Sequence, residues 1–154
     1  MDTVDIKIVN MLQENAKTTN AELARQLGMA PSGVLERVKK LEASSLIQRY
    51  ETRVNHRMLG LGLTTFIQVD TDEPLGSTAI GHLLAEVPEI QEVHSVTGKY
   101  SYLVKARVKD SDHHNELLKK MGALGVKNAR TTVVLETIKE TLKIELDEAG
   151  VVTA

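Results

Sequence analysis

Chemistry in this chain concentrates in APSGVLERVKK, residues 30–40, where Ser32, Gly33, Glu36, Arg37, Lys39 and Lys40 fall opposite a helical apolar stripe. Cations in such a row neutralise phosphates, and an arginine can also pair bidentately with a guanine edge. Small side chains at 32 and 33 permit close approach. Arg37 suits either the base or the phosphate role. The same face also reads as a solvated one, with Glu36–Lys39 and Glu36–Lys40 helix pairs worth only about 0.2–0.5 kcal/mol each. Elsewhere chemical potential is thin. His56, His82, His94, His113 and His114 are scattered, and the adjacent last two face different sides of a helix. Cysteine is absent, which removes disulfides, thiolate metal sites and cysteine nucleophiles. No HExxH, GxSxG, Walker or GxGxxG pattern occurs, so no catalytic residue, metal or cofactor is expected.

The elements that must position residues 30–40 are two preceding helices. Ile6, Ile8, Val9, Met11 and Leu12 gather on one face of a helix from 3 to about 15. Thr19 stands three before Glu22, the spacing of a capping box, and Ala21, Leu23, Ala24 and Leu27 supply the apolar side of a second helix that Gly28 ends. Pro31 suits the first turn of the third, with Val34, Leu35, Val38 and Leu41 as its core face. Two short helices joined through Gly28-Met29 form a helix-turn-helix whose second member enters the major groove of double-stranded DNA. The candidate DNA-contacting set is Thr19, Asn20, Ser32, Gly33, Glu36, Arg37 and Lys40.

After Ser44-Ser45 the texture changes. Leu46, Ile47 and Tyr50 alternate with polar residues as a short extended segment, and Gly60 and Gly62 mark a turn, which places a linker at 51–61. Arg49, Arg53 and Arg57 there can extend a phosphate-facing surface or simply be solvated. The remainder reads as a strand at 63–71, a helix that Ser77 can cap and Pro88 ends, and two strands at 90–98 and 102–110 around GKYS. A helix through Leu117, Leu118, Met121 and Leu124 follows, then a strand at 131–136 and a further candidate in LKIEL, 142–146. This βαββαβ order predicts a ferredoxin-like α+β sandwich. Val93, Val96, Leu103, Val108, Val133 and Leu135, with Phe66, exceed what one sheet face accommodates, so a second subunit is expected to cover the other.

Residues 1–55 resemble the N-terminal half of the Lrp/AsnC ("feast or famine") family of transcription regulators, through DxxDIKIVxxLQ, AELARQLGMAPS, LERVKKLE and LIQRYETRVN. The second half resembles the same family's effector-sensing RAM domain. The resemblance implies a winged-type helix-turn-helix followed by an oligomerisation domain, as a homodimer and a larger even assembly such as an octamer. It also implies a small effector, often an amino acid, near the loop VTGKYSY. The candidate effector set is Thr97, Gly98, Lys99, Tyr100, Ser101 and Tyr102, with Thr132 of a later strand. Two departures matter. Ala30 stands where the family usually has a helix-capping serine, and Lys99 and Ser101 replace the acids of Gly-Asp-Tyr-Asp. A carboxylate there would receive an ammonium; Lys99 repels one and favours an anion. The loop also reads as a plain hairpin turn.

The totals agree with a folded protein, 42% of its 154 residues hydrophobic and 26% charged. The opening residues show no signal-peptide pattern and no apolar run spans a membrane, so a cytoplasmic protein is expected. The net charge of −2 hides a split, +2 over residues 1–57 (9 basic against 7 acidic) and −4 over 58–154 (10 against 14). The domains expected are a helix-turn-helix at 1–50, the linker, a ferredoxin-like domain at 62–147 and a tail at 148–154. The reading that follows is a ligand-modulated DNA-binding regulator. Its competitors are a ligand-independent architectural DNA-binding protein and a tetrapyrrole decarboxylase-like enzyme, for which His94 beside Lys99 is the only hint.

Overall fold

The computed structural model describes residues 1–147 and the backbone of 150–151; the expected tail at 148–154 otherwise lies outside the described residues. Helices α1 (Thr3–Glu14), α2 (Asn20–Leu27) and α3 (Pro31–Ala43) enclose Ile8, Leu12, Leu23, Ala24, Val34, Val38 and Leu41. Leu35, expected in the α3 stripe, is 40% exposed. It lies about 100° round the helix from Val34, and positions 34, 38 and 41 close the core without it. Gly28 ends α2 in the left-handed conformation, φ 65° and ψ 33°, which turns the chain towards α3 within three residues.

The capping pattern at Thr19 is half made. Its hydroxyl accepts the Glu22 N–H at 3.2 Å, but the Glu22 carboxylate is drawn to Arg25 and Gln26 instead. A complete capping box sits at α1, where Asp2 and Asp5 each accept the other's backbone N–H. At the far end of α3, Ser45 takes φ 59°, a left-handed position usually given to glycine, and the Leu46 N–H returns to the Leu41 carbonyl at 3.1 Å. From Leu46 to Tyr50 the chain joins no strand ladder; Ile47 packs on the helical core and the Tyr50 hydroxyl donates to Glu42.

The second unit, residues 54–138, holds an antiparallel sheet of β1 (Leu63–Thr71), β2 (Ile90–Ser95), β3 (Tyr102–Val108) and β4 (Val126–Val133) in the order β2-β3-β1-β4. Helices α4 (Ala79–Ala85) and α5 (Ser111–Ala123) cover one face, and the core lies between them: Ile67, Val69, Tyr102, Val104, Ala106 and Val108 against Leu84, Leu117 and Met121. This is the ferredoxin-like arrangement. Strand β4 begins five residues before the expected position, because Gly125 turns the chain at φ 103° and Val126 already pairs with Thr71. Its stretch KNAR is exposed on an edge, where no alternation announces a strand.

The chain from Lys139 groups with residues 1–53 rather than with the sheet. Of LKIEL, only Leu146 is in a strand: β5 (Leu146–Asp147) pairs with β6 (Gly150–Val151) as a separate ladder. Gln13 brackets Ile144, donating to its carbonyl at 3.0 Å and accepting its N–H at 2.8 Å, and Asn10 donates to the Leu146 carbonyl at 3.0 Å. Two side chains of α1 thus supply hydrogen bonds that a neighbouring strand would otherwise provide.

The apolar excess expected on the uncovered sheet face is smaller than its residue list suggests. Register puts Val93 opposite Val104 and Val133 opposite Thr65, hence on the helix side, where Val108 is also buried. Val96 and Leu135 lie beyond the strands. Phe66, 36% exposed, and half-buried Leu103 remain, among Gln68, Lys105, Arg107 and Thr132.

Candidate functional site

Helix α3 presents Ser32, Glu36, Lys39 and Lys40 to solvent, with Gly33 half-buried at its first turn. The Glu36–Lys39 and Glu36–Lys40 pairs do not form. A Cβ at Gly33 would meet nothing closer than Met29 Cε at 3.7 Å, so packing does not demand glycine there. Ala30 occupies the N-cap with the right extended backbone, φ −70° and ψ 140°, but no side chain bonds the free N–H groups. Those groups stay available to water or to an incoming anion.

Arg37 differs from its neighbours. Its Nη1 donates to Asp2 Oδ2 and Asp5 Oδ1, each at 2.7 Å, so it is held against the start of α1. The carboxylates raise the guanidinium pKa further, and the Asp5 backbone N–H followed by Arg37 holds the Asp2 carboxyl below its ordinary value. Thr19 caps α2 and Asn20 is its first residue, half-buried. The structure therefore places Thr19, Asn20, Ser32, Gly33, Glu36 and Lys40 in one unit with an accessible α3 face, and it engages Arg37 elsewhere.

In the second unit, the β2–β3 loop holds Thr97 to Ser101. Gly98 sits at φ 114°, which a side chain rarely adopts, and Lys99 Nζ lies 5.6 Å from the Tyr100 ring centroid. Ser101 donates its N–H to the Val69 carbonyl at 2.8 Å, and its hydroxyl accepts the Thr71 N–H at 3.3 Å, which pins the loop to β1. Tyr102 points into the core and donates to Glu73 Oε2 at 2.6 Å.

Sequence reading passed over Glu73, although it governs this region. Its carboxylate also accepts from the Ser77 hydroxyl at 2.9 Å, the Ile80 N–H at 2.9 Å and the Thr71 hydroxyl at 3.2 Å. It thereby caps α4 together with Ser77, the expected cap, whose hydroxyl accepts the Ala79 N–H at 3.4 Å. The bonds to Glu73, the Tyr102 hydroxyl foremost, hold its carboxyl down at about 2, while burial and then Glu73 push the Tyr102 phenol up. An acid six residues before a helix start carries no local capping signature, so only folding reveals it. Thr132 is not brought to the loop: it pairs with Phe66, in the row of Lys105, three residues along β3 from Tyr102.

The histidines stay apart. His94 bonds Glu92 at 3.2 Å, His113 bonds Glu89 at 3.1 Å and His114 bonds the Thr131 hydroxyl at 2.9 Å. Among the described residues no helix is long and apolar enough to cross a membrane.

Comparison with known proteins agrees with this two-unit layout. Residues 1–42 match the AsnC-type helix-turn-helix domain, and residues 64–144 match the Lrp/AsnC ligand binding domain. A leucine-responsive regulatory protein of Haemophilus influenzae is 35% identical over 92% of this chain and 87% of its own. The HTH-type transcriptional regulator FL11 of Pyrococcus horikoshii is 34% identical over 95% and 97%. Among solved structures, a transcriptional regulator from Neisseria meningitidis in complex with L-methionine superposes with a TM-score of 0.88 at 29% identity, covering 97% of this chain and 99% of that one. With both halves matched in order and relatives that are transcriptional regulators, this chain belongs to the Lrp/AsnC family of DNA-binding transcriptional regulators.

Proposed function

We propose that the protein is a homo-oligomeric cytoplasmic regulator that reads double-stranded DNA with α3 and answers to a small anionic effector at the β2–β3 loop. The observation that carries the DNA half is the exposed face of α3, where Ser32, Gly33, Glu36 and Lys40 follow an uncapped helix start. Ser32 and Gly33 admit a base edge, Glu36 suits a cytosine amino group, and Lys40, Thr19 and Asn20 suit phosphates. The test is selection from a random duplex pool, followed by fluorescence anisotropy against a scrambled duplex at several salt concentrations. A specific regulator enriches one sequence and prefers it by about a thousandfold or more. Equal binding to both duplexes would favour an architectural protein.

Dimerisation is the assembly this fold supports. The uncovered sheet face carries Phe66 and Leu103, and a second copy of that face buries both. Light scattering of the wild type and of Phe66→Arg checks it: a dimer or a larger even assembly such as an octamer is expected for the first and smaller species for the second. The effector half rests on charge. The loop offers Lys99, Gly98, Tyr100 and the Ser101 hydroxyl, with Thr97 beside them; Tyr102, buried and bonded to Glu73, shapes the end of the loop rather than touching the effector. Glu73, the carboxylate bonded to Thr71 and Tyr102 beside the loop, already accepts four hydrogen bonds. Such a loop takes a carboxylate without an ammonium group, such as a 2-oxo acid, better than a zwitterion. Calorimetry with L-methionine, L-leucine and their 2-oxo acids decides. Lys99→Asp is expected to reverse the preference, and an unchanged profile counts against the loop.

A further inference from the structure

Arg37 is the cation of α3 that a sequence reader would first send to the DNA, yet its surroundings give it other work. Asp2 and Asp5 have four carboxylate oxygens between them, and each is used once. Asp2 Oδ1 accepts the Asp5 N–H at 2.9 Å and Asp5 Oδ2 accepts the Asp2 N–H at 3.0 Å, while the two remaining oxygens accept Arg37 Nη1. The capping box of α1 is therefore also a receptor for the guanidinium of α3. The cluster carries one net negative charge, which disfavours a phosphate at the same place.

We infer that Arg37 is a positioning residue, which fixes the rotation of α3 on α1 through Asp2 and Asp5 and makes no direct base or phosphate contact. The geometry explains why one is needed. Ala30 leaves the start of α3 without a side-chain cap, and Leu35 is exposed, so the apolar seam at Val34, Val38 and Leu41 is narrow. A narrow seam resists separation of two helices better than it resists rotation. Arg37 lies about 60° round α3 from Lys40 and about 100° from Glu36, so tying it to α1 sets where both point.

The inference rests on the DNA-reading role of α3, so the wild type is measured first. Failure of the full-length protein to discriminate its selected duplex from a scrambled one would overturn that reading and this one together. Given discrimination, anisotropy is repeated with Arg37→Gln and Asp5→Asn, with circular dichroism to confirm folding. A positioning role predicts that both variants lower the specific-to-scrambled ratio about tenfold, the scale of one misplaced base contact, with the salt slope of Arg37→Gln unchanged. A slope smaller by about 0.9 on both duplexes would make Arg37 a phosphate contact and overturn the inference. So would loss of discrimination in Arg37→Gln alone, which marks a base contact, or full discrimination in both variants, which marks a contribution to stability only. If Arg37→Gln does not fold, Asp5→Asn keeps the Asp2 bond and carries the test.

Discussion

The ring of Tyr102 lies where a side chain at residue 81 would begin: a Cβ on Gly81 would come within 2.6 Å of Tyr102 Cε1. Helix α4 thus rests directly on the β3 residue that closes the candidate effector loop, with its backbone against the ring. Tyr102 is 2% exposed and its hydroxyl is tied to Glu73, so it has no room to yield. Gly81→Ala is expected to destabilise the protein by about 1–3 kcal/mol, the usual scale of overpacking, read as a lower urea midpoint. Wild-type stability in that variant would show that α4 is free to shift.

Glu73 links the loop to α4 through charge, which makes a pH test possible. Its carboxyl is held at about 2 in the folded protein against an ordinary 4.5. The unfolded chain binds the proton first, so the contribution is complete above about pH 4.5 and is lost as pH falls towards 2. Glu89, by Lys120 first, and Glu22, by Arg25 first, are also held at about 2, so among the described residues the wild type has three such groups. Glu73→Gln is expected to be less stable than wild type at neutral pH and to lose less stability between pH 4.5 and 2. Parallel curves for the two proteins would remove Glu73 from this role.

The start of α3 offers a gain. Ala30 already has the backbone of an N-cap and lacks only an oxygen. Ala30→Ser is expected to add about 1 kcal/mol of stability, measured by denaturant unfolding.

The other end of the same helix offers a second. Ser45 holds φ 59°, and a side chain there costs about 1 kcal/mol relative to glycine. Ser45→Gly is expected to raise the thermal midpoint while leaving DNA affinity unchanged. A fall would mean that the Ser45 side chain makes a compensating contact.

Much of this protein was legible before folding. The periodicity of Ile8 and Leu12, of Leu23 and Ala24, and of Val34, Val38 and Leu41 marks three helices, because a helix that buries one face must repeat every three or four residues. Gly28 and Pro31 punctuate them for steric reasons that hold in any context. The alternation of β1 and β3 and the βαββαβ order likewise follow from local rules. The family resemblance was carried by residues quoted from the chain, and its departures at Ala30, Lys99 and Ser101 were visible there too.

What only the tertiary structure decided is which partner each polar group finds. Arg37 and Asp5 are 32 residues apart, and Glu73 and Tyr102 are 29 apart. No local pattern encodes such pairs. Strand β4 begins early because β1 offers it a ladder, Thr132 leaves the loop because register sends it to Phe66, and the chain from Lys139 joins α1 because Gln13 meets Ile144. Local sequence sets which backbone shapes are cheap. Long-range hydrogen bonds and charges, formed only when distant segments meet, set what those shapes hold in place.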